Sequence, residues 1–141
     1  MKQTILKKKE LKMDMRKESE HWLLQGKEEF DTAKASFEMK KWFAVAFWCQ
    51  QAAEKVLKAA FIEKKKESPG TTHSLTYLGR ELHIPQELWN SLRDLTKEYY
   101  LSRYPDASED LPYQMYSKQD AEKYIQDCEK IIKWAESQTK K

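Results

Sequence analysis

Residues 42–61 read WFAVAFWCQQAAEKVLKAAF, and the fold turns on what this stretch becomes. The apolar run from Trp42 to Cys49 is far too short to span a bilayer, which takes about 20 apolar residues in a helix. Its first two turns are apolar nearly all round, which predicts a central helix. Val45, Cys49, Ala52, Val56 and Ala60 then keep one stripe in steps of three and four, so the helix is expected over about 41–65. A second face carries Gln51, Glu54, Lys55 and Lys58, with Gln51–Lys55 and Glu54–Lys58 at i,i+4 spacing. Two readings of that face stand: ordinary solvated pairs, or the polar rim of a groove or dimer interface.

Upstream, Met15, Ser19, Trp22, Gly26, Phe30, Ala33 and Phe37 trace one face of a first helix over about 13–39. Gly26 costs a helix about 1 kcal/mol relative to Ala; on a bulky stripe it marks a close approach by a neighbouring helix. Downstream, KKKESPGTTH (64–73) is a loop, with Pro69-Gly70 as its turn and Thr71 or Thr72 as the cap of the next helix. That helix is short, over 73–82, and aligns Leu75, Leu78 and Leu82. Pro85 opens a fourth segment, 85–103, whose stripe is Leu88, Leu92, Leu95, Tyr99 and Ser102. After a loop at 104–116, Ser117 and Asp120 form a capping box for a last helix over 118–138, with Ala121, Tyr124, Cys128, Ile131 and Ala135 inward.

Four long helical patterns and one short one predict an all-α, antiparallel, up-and-down bundle. It occupies residues 13–138 as one domain, between a basic, frayed tail at 1–12 and a short tail at 139–141. A chain of 141 residues with three Gly and four Pro suits that architecture. It is 35% charged yet holds five Trp, seven Tyr and five Phe, too many aromatics for a disordered chain. Residues 1–12 hold five Lys and one Glu, and Lys140 and Lys141 close the chain, so the positive excess lies at the ends and the body has no global basic signature. The N-terminus lacks the apolar core of a secretory signal. Cys49 and Cys128 lie apart on apolar faces and read as buried thiols in a reducing cytoplasm. His21, His73 and His83 are scattered, with no Cys or carboxylate at ligand spacing, so no metal and no cofactor is expected.

The stretch YYLSRYPDASEDLPY (99–113) ends the fourth segment, because Pro105 cannot continue a helix and biases Tyr104 toward extended backbone. Arg103 is left among the last helical residues at the lip of an acidic loop. It either complements the helix C-terminus and ties down Asp106, Glu109 or Asp110, or it faces a cleft and holds a phosphate with its fork of N–H donors. In the second case Tyr104, Tyr113 or Tyr116 would stack on a base.

Several stretches resemble one family in the right order. WFAVAFWCQQAAEKVLKAAF is similar to the second helix of HEPN domains (higher eukaryotes and prokaryotes nucleotide-binding). PGTTHSLTYL resembles their T-H-x-L-x-x-L segment, YYLSRYPDA their Y-x-x-x-R-Y-P-D ending, and YSKQDAEKYIQDCEKII their last helix. The resemblance covers about residues 14–136. It implies a bundle of four or five helices, commonly a homodimer, of the small prokaryotic branch often paired with a minimal nucleotidyltransferase. The HEPN bundle is also similar to the helical domain of kanamycin nucleotidyltransferase, which helps build a substrate cleft. Other branches are metal-independent ribonucleases that use Arg followed four to six residues later by His, with two subunits completing one site.

This sequence departs from the ribonuclease pattern. Four, five and six places after Arg103 stand Ala107, Ser108 and Glu109. General acid–base cleavage needs a group that moves a proton near neutral pH, as His does. Ser108 does not do that unaided, and Glu109 would need a strongly raised pKa, part of which Asp106 and Asp110 would supply. His83 follows Arg80 by three residues, off the family position, and His73 sits in the T-H-x-L match, where a lone His caps or packs. The resemblance and this departure together imply an accessory protein that binds a nucleotide or substrate and acts with a separately encoded minimal nucleotidyltransferase, without chemistry of its own. Its expected ligand-binding residues are Arg103, Tyr104, Asp106, Tyr99, Lys58 and Glu54. Its partners are a second copy of the chain, the transferase and a nucleotide; RNA ranks behind these, and no membrane is involved. The alternatives are a divergent ribonuclease or toxin using Arg103 with Glu109 or His73, and a non-catalytic helical interaction domain.

Overall fold

The computed structural model describes the backbone of residues 2–107 and 110–139 and the side chains from residue 15 onward within those ranges. Ser108 and Glu109, and with them the proposed role of Glu109, lie outside the described residues. Helices α1 (Lys2–Glu38), α2 (Trp42–Lys65), α3 (Leu75–Glu81), α4 (Trp89–Thr96), α5 (Glu98–Leu101), α6 (Pro112–Met115) and α7 (Lys118–Thr139) succeed one another along the chain. Short 3-10 turns lie at Gln86–Leu88 and Pro105–Ala107. No strand occurs among the described residues, and none of their helices is long and apolar enough to cross a membrane.

The architecture is the expected all-α antiparallel bundle. Helix α2 is its axis and packs most extensively against α1, then α7. Val45, Cys49, Ala52, Val56 and Ala60 are fully buried, as their spacing required. Each large apolar side chain removed from water at such positions contributes about 1.5–3 kcal/mol. The tight turn at residues 39–41 folds α1 back onto α2, and at Gly26 they approach closely: a Cβ there would lie 2.7 Å from Val56 Cγ1 and 3.1 Å from the Ala52 carbonyl oxygen. Helix α1 begins at Lys2, inside the stretch expected to be a frayed tail.

The ends of the elements have local causes. Helix α2 stops at Lys66, in the left-handed region with φ 57°, its N–H returning to the Ile62 carbonyl. The cap of α3 is Ser74 rather than Thr71 or Thr72; its side chain accepts from the Tyr77 N–H, while Thr72 Oγ1 accepts from the Ser74 N–H. At α7 the reciprocal capping box forms: Asp120 Oδ2 accepts from the Ser117 N–H at 2.9 Å, and Ser117 Oγ from the Asp120 N–H at 3.1 Å.

The fourth long pattern is not one rod. It runs as the 3-10 turn Gln86–Leu88, then α4, then α5 after an interruption at Lys97. The buried stripe runs on through Glu98, three residues after Leu95 and 2% exposed, whereas Tyr99, expected on that stripe, is only partly buried. Arg103 lies past the Ser102 cap of α5, in the turn, rather than within the helix.

Candidate functional site

The site grows from the polar face of α2. Gln50, Glu54 and Lys58 are spaced four residues apart and so lie in a row along the helix. They are not solvated: Glu54 is 4% and Lys58 3% exposed. The solvated-face reading is therefore corrected. Helix α1 covers this row, with Ser19 Oγ donating to the Ala59 carbonyl at 3.0 Å and the Trp22 ring 5.2 Å from Lys58 Nζ. Buried charges persist only when paired, and these are. Lys58 Nζ stands 3.1 Å from Glu54 Oε2, and Glu54 Oε1 meets His73 Nδ1 at 3.0 Å. Gln50 Nε2 donates to the His73 carbonyl at 3.2 Å and lies 3.4 Å from Glu54 Oε1. Next along the face, Lys55 Nζ donates to Glu29 Oε1 at 2.7 Å and to Gln51 Oε1 at 3.4 Å, and Gln51 donates on to Gln50.

The pairing with Glu54 fixes His73. The tautomer with its proton on Nδ1 donates to Glu54 Oε1 and leaves Nε2 as an acceptor. The His73 side chain is 41% exposed. Its ring stacks on Tyr99, with centroids 3.9 Å apart and planes 11° from parallel. Tyr100 meets Tyr99 edge-on at 4.8 Å. The Arg103 guanidinium lies over three rings: 5.0 Å from Tyr99, 5.0 Å from Tyr104 and 5.1 Å from Phe47 of α2. Neither sequence reading of Arg103 foresaw this aromatic seat.

These side chains wall an open cleft of about 510 Å³ lined by His73, Tyr99, Tyr100, Tyr104, Asp106 and Ala107. A neighbouring cleft of about 360 Å³ shares His73, Tyr99 and Tyr100 and adds the hydroxyls of Thr71, Thr72, Ser74 and Thr96. Of the expected ligand residues, Tyr99, Tyr104 and Asp106 line the larger cleft. Arg103 touches two of its rings. Glu54 and Lys58 stand behind His73, so a ligand meets the imidazole before it meets them. Tyr116 does not line this cleft; its hydroxyl is bound to Glu98. Tyr113 is exposed away from the cleft lining.

Glu98 is the residue the sequence reading missed. It accepts from the Tyr116 hydroxyl and from the Tyr124 hydroxyl at 2.8 Å, tying the helix that carries Tyr99 to α7 and to the far end of the loop. Burial raises its pKa above the ordinary carboxylate range against the pull of both phenols and Lys97. Burial, with the adjoining carboxylate, pushes both phenols up as well. A signal existed: Glu98 falls three residues after Leu95 and four before Ser102, on the apolar stripe as well as Tyr99 does. The two thiols behave as read; both are buried, and Cys128 Sγ donates to the Cys49 carbonyl. Among the described residues no group of three or more His, Cys, Asp or Glu side chains is placed to hold a metal ion.

Comparison with known proteins matches this architecture to one family. The family model of the HEPN domain matches residues 19–138. Among solved structures, TT1696 from Thermus thermophilus is 27% identical, with a TM-score of 0.78 over 86% of this chain and 98% of that one. ST0689, an archaeal HEPN homologue, is 28% identical, with a TM-score of 0.76 over 87% of this chain and 98% of that one. No curated protein matches the chain.

Proposed function

This chain belongs to the HEPN domain family, and from that premise we propose that it is a nucleotide- or substrate-binding accessory protein. It acts as a homodimer beside a separately encoded minimal nucleotidyltransferase. The observation that carries the reading is the tyrosine-walled cleft with His73 and Arg103 seated on one ring, Tyr99. Stacked aromatic walls accept a base at about 1–3 kcal/mol per base. The exposed guanidinium at their edge offers forked donors to a phosphate. The imidazole, held by Glu54, presents one nitrogen for a polar contact.

Two measurements test it together. Purification from the native host identifies the partner, and thermal unfolding with nucleoside mono-, di- and triphosphates reads binding. A ligand at about 100 times its Kd stabilises by about 2.7 kcal/mol, a shift of about 9 °C in a domain of this size. A chain that never associates with a transferase and shows no nucleotide-dependent shift sinks the proposal.

A ribonuclease is the second reading, favoured by one specific observation. His73, carboxylate-bound and solvent-accessible, stacks on the same Tyr99 ring that Arg103 rests on, which makes it the candidate for the imidazole missing after Arg103. Incubation with structured RNA, beside Arg103→Ala and His73→Ala, decides it. Cleavage that is absent, or that survives both substitutions, removes this reading.

A further inference from the structure

A third cleft, of about 440 Å³, lies between α3 and α4 and is lined by Thr76, Arg80, Gln86, Trp89 and Arg93. Its origin is legible in the helices. Thr76 and Arg80 lie one turn apart on α3, and Trp89 and Arg93 one turn apart on α4. Gly79 lets the two helices approach until a Cβ in its place would lie 2.4 Å from Leu92 Cδ1. Two arginine-bearing faces are thereby set side by side.

The charge of this cleft is uncompensated by its own walls. Among the described residues its lining has two guanidiniums, a hydroxyl, an amide and an indole, and no carboxylate. The acidic neighbours in sequence are engaged elsewhere: Glu81 pairs with Lys65 at 3.5 Å, and Asp94 with Lys123 at 2.5 Å. Glu87, beside Gln86, is not part of the lining. Arg93 is held in place, 5.8 Å over the Trp89 ring, with Nη1 donating to Asn90 Oδ1 at 3.3 Å. A guanidinium has five N–H donors, so one such bond does not exhaust it. Two like charges on one open cleft are relieved by an anion, and paired forks suit the oxygens of a phosphate.

We infer that the α3–α4 cleft is a phosphate-binding site, separate from the tyrosine cleft, in which Arg80 and Arg93 hold the oxyanion while Thr76 and Gln86 add neutral donors. The phosphate is either free or the end of a nucleoside monophosphate whose base lies on Trp89.

Calorimetric titration of the full chain at low ionic strength tests it, with inorganic phosphate, a nucleoside monophosphate and the unphosphorylated nucleoside as probes. Both arginines are exposed, so the double variant Arg80→Gln, Arg93→Gln should keep its far-UV circular dichroism. It should weaken phosphate binding at least about tenfold, while Arg16→Gln, at an exposed arginine of α1 outside both clefts, leaves it within about twofold. Equal binding of inorganic phosphate and nucleotide, indifferent to Trp89→Leu, supports the site with free phosphate as its ligand. Tighter nucleotide binding, lost in Trp89→Leu, supports it with the nucleotide. No saturable binding of either probe below about 10 mM, binding indifferent to the double variant, or equal loss in Arg16→Gln overturns it. The double variant leaves Arg103 and the tyrosines intact, so its loss of binding reads this cleft apart from the tyrosine cleft.

Discussion

The rings of His73 and Tyr99 are stacked at 3.9 Å, and Arg103 rests on the same Tyr99 ring at 5.0 Å. One phenol therefore organises the imidazole from the loop before α3 and the guanidinium from the turn after α5. Behind the imidazole stands Glu54 of α2, so three separate parts of the chain converge on one cleft.

Tyr99→Ala should release both neighbours. Nucleotide affinity, measured by calorimetry, should fall about 10- to 100-fold, the worth of one stacking contact. Tyr99→Phe keeps the ring and should stay near wild type. Equal losses in the two variants would show that the hydroxyl, rather than the stack, matters.

Glu54 tests the cost of an unpaired buried charge. Glu54→Ala leaves Lys58 buried without its partner and should destabilise by about 3–5 kcal/mol in urea unfolding. Glu54→Gln keeps an acceptor and should lose about 1–2 kcal/mol. In that variant the ¹⁵N shifts of His73 should report a changed tautomer balance. An unchanged His73 spectrum would mean that Glu54 does not orient the ring.

Glu98 gives the chain a pH signature. Burial raises its pKa in the folded state above the ordinary value of 4.5, so the folded chain binds this proton more tightly than the unfolded chain. Its contribution to stability is then fully present below about pH 4.5 and is lost as pH rises through the raised value. Urea midpoints of wild type and Glu98→Gln, compared from pH 4 upward, should diverge across that window, with the wild type falling relative to the variant. Parallel curves would remove Glu98 as the source.

At Gly26 two effects oppose. Alanine gains about 1 kcal/mol of helix propensity, but its Cβ would press on Val56 and on the Ala52 carbonyl. Overpacking of this kind costs about 1–3 kcal/mol, and a backbone oxygen yields little, so Gly26→Ala should be net destabilising in thermal unfolding. A raised Tm would show that α1 can slide outward without loss.

Arg103→Ala separates seat from function. Cation–π contacts at exposed sites are worth about 0.5–1 kcal/mol, so unfolding should change little while nucleotide binding drops. If stability falls and binding holds, Arg103 is only a brace for the tyrosines.

The sequence alone determined the α-helical class, the central place of α2, the close approach at Gly26, the capping box of Ser117 with Asp120, and a halt of the fourth segment ahead of Pro105. All of these arise from rules that act within a few residues: apolar spacing, capping and the missing N–H of Pro105. Only the tertiary structure decided that Glu54 and Lys58 are buried, that Glu54 holds His73, that Glu98 rather than Tyr99 turns fully inward, and that Arg80 and Arg93 face one cleft. A helical period records which side chains share a face. It does not record whether water or another helix covers that face, and the rotation and approach of neighbouring helices settle that instead.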